Sequence, residues 1–213
     1  MNNNWLSKLN RRFGRYAIHN LMLYIVIAQA VVLGAAIVLQ INLAGMLDFY
    51  LPAIKAGQVW RLITFIIVPP SSGNIIFTAL AMYFSWLIGS SLENEWGAFK
   101  FNLFYLTGII GTILGGFITQ TTTNTYLNLS MFLAFAAIFP EFQVLLFFIV
   151  PVKVKFLALI YVAILVISII TASWAVRVAI LISVLNLFLY FGPQFIERIR
   201  QQRRRVQWKR NFR

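Results

Sequence analysis

Cysteine is missing from this sequence, histidine occurs once, as His19, and only five residues are acidic. Each shortage closes off a class of chemistry. Without cysteine there is no disulfide and no thiolate metal site, although the redox compartment stays open. A single histidine without convergent carboxylates supplies no donor set for a metal, so no cofactor is expected. Glu93 and Glu95 lie close together, but in a turn on the cytoplasmic side rather than as a pair for acid and base work.

What the chain has in quantity is apolar. Hydrophobic residues fill 61% of the 213 positions, charged residues 11%, and mean hydropathy is +0.82. A soluble domain of this length could not bury so much apolar surface, so the lipid bilayer is the expected solvent for most of it. Eighteen Lys and Arg leave a net charge of +13. These residues flank the apolar runs, where basic side chains set membrane orientation, so nucleic acid is not an expected partner. No cleavable signal is evident, because the first apolar run is long enough to span.

The chain divides into a basic segment (1–20), a membrane domain (21–195) and a basic tail (196–213). The first carries Lys8, Arg11, Arg12 and Arg15 among Trp5, Leu6, Leu9 and Phe13; it reads either as a short amphipathic helix on the membrane surface or as a frayed topogenic tail. Six apolar spans follow: Leu21–Ile41, Ile75–Leu92, Phe101–Thr119, Tyr126–Phe139, Phe156–Thr171 and Trp174–Phe191. A helix needs about twenty residues to cross a ~30 Å hydrocarbon core. The fourth span is short, as a central helix held by neighbours would be.

Asn42–Asn74 is long and mixed. Irregular backbone cannot face lipid, so this stretch lies in the interface or packs on the bundle, with Leu62–Val68 as a partly embedded segment. Val144–Val150 reads as an apolar connector. With both termini cytoplasmic, fifteen basic residues fall inside and three, Lys55, Arg61 and Arg177, outside. The tail, from Arg198 to Arg213, reads as an anchor suited to anionic lipids.

The order of parts within Gly57–Gly116 is distinctive: Trp60-Arg61, a polar break at Pro69–Gly73, a span closing on Leu92-Glu93, the Trp96-Gly97 turn, and Gly111–Gly115 in the next span. Phe139-Pro140-Glu141 and Pro151–Lys155 continue it. This order resembles the rhomboid-like superfamily of membrane proteins. The resemblance implies an all-α membrane protein, a six-transmembrane-helix bundle with a long membrane-associated loop after the first helix, in a bacterial plasma membrane. It implies that Trp60 and Arg61 hold that loop on the bundle and that Glu93, beside the turn glycine Gly97, makes structural hydrogen bonds. Gly111 and Gly115 clear one face of the third span for close helix approach.

Rhomboid proteases place their serine in Gly-x-Ser-Gly at the outer end of the fourth span, a histidine in the sixth, and a His-x-x-x-Asn pair in the second. Ser130 stands at the nucleophile position, but Asn128-Leu129-Ser130-Met131 has neither glycine. The sixth span offers Ser183 and Asn186 and no base, and the matching positions of the second hold Asn74 and Thr78. His19 precedes the first span, on the opposite side from Ser130; a hydrogen bond reaches ~3 Å, a spanning helix ~30 Å. Lys153 and Lys155 fall on the inner face and Lys55 in the outer loop. The resemblance therefore implies a pseudoprotease that binds transmembrane segments of client proteins around Asn128, Ser130 and Asn186, in quality control, trafficking or turnover. Two alternatives stand beside it: a serine protease using Ser130 with an unconventional base, and a small transporter or channel. Few charges within the spans and no inverted repeat weigh against the second.

Overall fold

The computed structural model describes residues 11–70, 73–146, 150–188 and 190. The first ten residues with Lys8, the basic tail, Ser71-Ser72 of the polar break and Phe191 at the end of the sixth expected span lie outside the described residues. A short helical stretch at residues 11–16 precedes α1 (Leu21–Leu39). The loop region holds α2 (Leu43–Leu47), β1 (Phe49–Tyr50), α3 (Leu51–Lys55) and α4 (Arg61–Thr64), which runs into a 3-10 turn at Phe65–Ile67. Then come α5 (Ile75–Trp96), α6 (Ala98–Thr119), β2 (Thr121–Thr122), α7 (Thr125–Ile138), β3 (Gln143–Leu146), β4 (Val150–Lys153), α8 (Val154–Thr171) and α9 (Trp174–Phe188).

Among the described residues, four helices are long and apolar enough to cross a membrane: α1 with the stretch before it, α5, α6 and α8. They correspond to the first, second, third and fifth expected spans. The fourth and sixth are represented by the shorter apolar helices α7 and α9. Val31, Val38, Ile76, Ile160, Ile170 and Leu185 stand exposed on the outside. On a water-soluble surface such a girdle would aggregate; against acyl chains it is the matching surface. The chain is a mostly helical membrane protein.

Two of the helix boundaries that differ from the sequence expectation meet at Gly97, the others moving by one or two residues among α1, α7 and α8. α5 runs four residues past Leu92, through Glu93 and Glu95, and α6 starts at Ala98 rather than Phe101. Charge marked the expected ends, but i to i−4 hydrogen bonding tolerates charged residues at a membrane edge. What stops α5 is Gly97, at φ +81°, a conformation that side-chain-bearing residues resist. A single residue thus joins two 22-residue helices.

α7 is the interior helix. It packs on α5, α6 and α8, and Leu127, Leu129, Ser130, Met131, Leu133, Ala134, Phe135 and Ala136 are all buried. A helix apolar on every face is buried on every face. At 14 residues it is about 21 Å long at ~1.5 Å per residue, short of a full crossing. α9 closes against α6, where Ile182 lies 2.8 and 2.7 Å from the points a Cβ on Gly111 and Gly115 would occupy. The glycines serve packing within the chain.

The loop after α1 is fastened to the bundle. β1 pairs antiparallel with β2, Phe49 opposite Thr122, and the buried Phe49 ring fills the space beside Gly116. The expected connector at Val144–Val150 is in part a hairpin: β3 and β4 pair antiparallel, with Val144 opposite Val152 and Gln143 opposite Lys153. β-branched residues in this stretch suit a strand, and Pro151 is tolerated because a two-stranded sheet has only edges.

Candidate functional site

Ser130, at the place where a nucleophile would stand, is 1% exposed, and its hydroxyl donates to the Leu127 carbonyl at 2.8 Å. Ser183 donates to the Tyr126 and Ala179 carbonyls at 2.8 and 3.0 Å. Asn186 accepts from the Thr107 hydroxyl at 2.9 Å and donates to the Phe104 carbonyl at 3.4 Å. Tyr190 joins them, 3.4 Å from Thr107. These polar groups knit α6, α7 and α9 together; no hydrogen bond joins Ser130 to Ser183 or Asn186. Activating a serine needs a base within hydrogen-bond reach, and the Ser130 hydroxyl is turned to its own backbone.

Asn74 caps α5, its side chain accepting from the Ile76 amide at 2.8 Å, and Thr78 donates back to the Asn74 carbonyl at 3.1 Å. His19 is exposed ahead of α1, and Lys55 is exposed in the loop. Lys153 and Lys155 both bind Glu141, at 2.6 and 2.5 Å. Those two hydrogen bonds and the two positive charges lower the exposed Glu141 carboxyl to about 2.

Arg61 and Trp60 divide their work. Arg61 is buried and donates to the Gly45 and Asp48 carbonyls at 2.8 and 2.9 Å and to Gln58 Oε1 at 2.7 Å, binding the loop to itself. Trp60 is exposed. Beside Arg61, burial pushes the Asp48 carboxyl above its ordinary range, with the guanidinium pulling part of the way back.

The embedded end of this loop is held by amides that the sequence analysis did not single out. Asn124, just before α7, donates from one Nδ2 to the carbonyls of Ile66 and Val68 at 3.2 and 2.8 Å. Gln29, in the middle of α1 and 1% exposed, donates to the same Ile66 carbonyl at 3.1 Å. Carbonyls freed by the end of a 3-10 turn cannot be left bare at membrane depth. The sequence signal was Gln29 itself, a polar amide in the middle of an apolar span.

Between α5, α7 and α8 lies a cavity of about 520 Å³, walled by Phe84, Ser85, Asn128, Phe132, Leu157 and Tyr161. Ser85 is satisfied by the Ala81 carbonyl at 2.9 Å. Asn128, partly buried, has no hydrogen-bond partner for its side-chain amide among the described residues. The arrangement offers an apolar trough with one unpaired donor and acceptor group. Compared with family models, with curated proteins and with solved structures, the chain matches none.

Proposed function

We propose that this chain is a pseudoprotease of rhomboid-like, six-span build that holds transmembrane segments of client proteins without cleaving them. Both termini lie on the cytoplasmic side of a bacterial plasma membrane, as the distribution of basic residues favours, and the tail contacts anionic lipids. The observation that carries the reading is the trough between α5, α7 and α8 with the unpaired Asn128 amide in its wall. An apolar helix lying in it gains packing, and a small or polar residue on that helix pairs with the amide, an interaction of ~0.6–2 kcal/mol in a membrane. Ser130 stands near it without a base, which supports binding over cleavage.

The test uses the full chain in liposomes with a panel of single-span proteins, some carrying Ser, Thr or Asn at mid-membrane. The expected result is co-purification of those polar spans without a cleavage product, weakened about three- to tenfold by Asn128→Leu. Cleavage abolished by Ser130→Ala would replace this reading with that of a protease. No product and no co-purification would refute client binding.

A further inference from the structure

A second concavity lies around the start of α6. Two adjoining cavities, of about 370 and 150 Å³, share Tyr16, Asn102 and Leu106 in their walls. Ile18, Leu21 and Ile25 complete an apolar side of the larger, Phe13 and Phe99 of the smaller. Asn102 is the exception. Its Oδ1 is sealed from solvent, and its amide makes no hydrogen bond among the described residues. A desolvated carbonyl oxygen without a partner is destabilising, and a turn about the Cβ–Cγ bond of this half-buried side chain brings it to the cavity, where a ligand donor completes it.

The rim is cationic. The Arg15 guanidinium donates to the Tyr16 hydroxyl at 2.8 Å and lies over its ring at 4.8 Å from the centroid. Arg12 lies over the Phe13 ring at 5.7 Å. Both rings wall the smaller cavity, so both charges are held at its edge. Exposed Arg11 adjoins Arg12 in sequence, and exposed Lys100 adjoins the wall residue Phe99. The acids at this end are Glu93, which accepts from the Asn20 backbone amide, exposed Glu95, and Glu141, which is held by Lys153 and Lys155, leaving the basic charges in excess.

We propose that these cavities hold one anionic phospholipid of the surrounding bilayer. Its acyl chain fills the apolar trough, its phosphate meets Arg12 and Arg15, and a headgroup hydroxyl donates to Asn102 Oδ1. Apolar wall, cationic rim and buried acceptor ask for an amphiphile with a tail, a negative charge and a donor, and a lipid with a glycerol headgroup has all three. This site is separate from the α5–α7–α8 trough and does not rest on client binding.

The experiment is native mass spectrometry of the full chain released from micelles, titrated with phosphatidylglycerol, phosphatidylcholine or phosphatidic acid. One phosphatidylglycerol should stay bound where phosphatidylcholine is lost. Arg12→Gln with Arg15→Gln should weaken it at least about tenfold, two charges being removed near the headgroup. These residues are exposed, so the result does not depend on whether a core variant folds. Asn102→Leu should weaken phosphatidylglycerol more than phosphatidic acid, which lacks the headgroup hydroxyl. Glutamine at all eight basic positions of the tail should leave the retained lipid in place. Equal retention of phosphatidylcholine, or loss of lipid only in the tail variant, would overturn the proposal.

Discussion

The backbone amide of Asn20 donates to Glu93 Oε1 at 2.7 Å, joining the start of α1 to the last turn of α5 across 73 positions of sequence. Glu93 is 8% exposed, and its other oxygen has no partner among the described residues. An acid in a C-terminal turn runs against the helix macrodipole, so the Asn20 contact is what favours it there. Glu93→Gln keeps an acceptor oxygen and should change stability little. Glu93→Ala leaves the amide bare and should lower stability by about 1–3 kcal/mol, read by denaturant unfolding in mixed micelles.

Gln29 and Asn124 converge on the Ile66 carbonyl, so their effects should not add. Asn124→Leu frees the Val68 carbonyl and should lower stability by about 1–3 kcal/mol. Gln29→Leu alone should do less, since Asn124 still reaches Ile66. The pair should lose more than the sum, because only then is Ile66 left bare. Hydrogen exchange across residues 61–68 should rise in the same order; additive effects would mean the two amides act separately.

Asp48 should make the loop sensitive to pH. Its carboxyl is pushed up by burial, so its protonated form favours the fold; that contribution is full below the ordinary value near 3.8 and is lost as pH rises through the raised folded value. Asp48→Asn should therefore raise the melting temperature at neutral pH, with the gap to wild type closing on acidification. Arg61 binds the backbone carbonyl of this residue, so the substitution spares that contact.

Glu141 has the opposite sign. Its carboxyl is lowered from 4.5 to about 2 by Lys153 and Lys155, so its contribution is present above pH 4.5 and is lost as pH falls toward 2. Hydrogen-exchange protection of β3 and β4 should persist from neutral pH to about 4.5 and decline below it. Glu141→Gln should remove that pH dependence.

Gly97→Ala isolates a backbone effect. Nothing lies within 4 Å of the added Cβ, but φ is +81°. The variant should lose about 1–3 kcal/mol from strain alone. Gly34→Ala, equally uncrowded and inside α1 with no such φ, should be neutral or gain up to about 1 kcal/mol. Similar losses at both glycines would show that conformation is not the cause.

Long apolar runs and scarce charge were enough to identify a helical membrane protein and the cores of its four long helices, because the bilayer demands continuous apolar length. Ends were harder to place. Glu93 and Glu95 mark a polarity change, whereas the α5 terminus is set by the φ of Gly97, which hydropathy does not register. The β3–β4 hairpin was missed because Val144–Val150 is as apolar as a helix fragment, although its β-branched residues and Pro151 carried a strand signal. At the site level, residue types excluded an evident base near Ser130. They could not bring Gln29 and Asn124 to one carbonyl, or leave Asn102 and Asn128 without partners among the described residues, since those facts depend on which backbone carbonyls arrive beside each amide.

The one-residue connection at Gly97 bears on how the chain enters its membrane. α5 and α6 leave the ribosome consecutively, and the second has no slack in which to wait outside while the first settles. Once in the bilayer the two therefore stand as an antiparallel helical hairpin with the Trp96-Gly97 turn at one face, and neither can shift along the membrane normal without carrying the other.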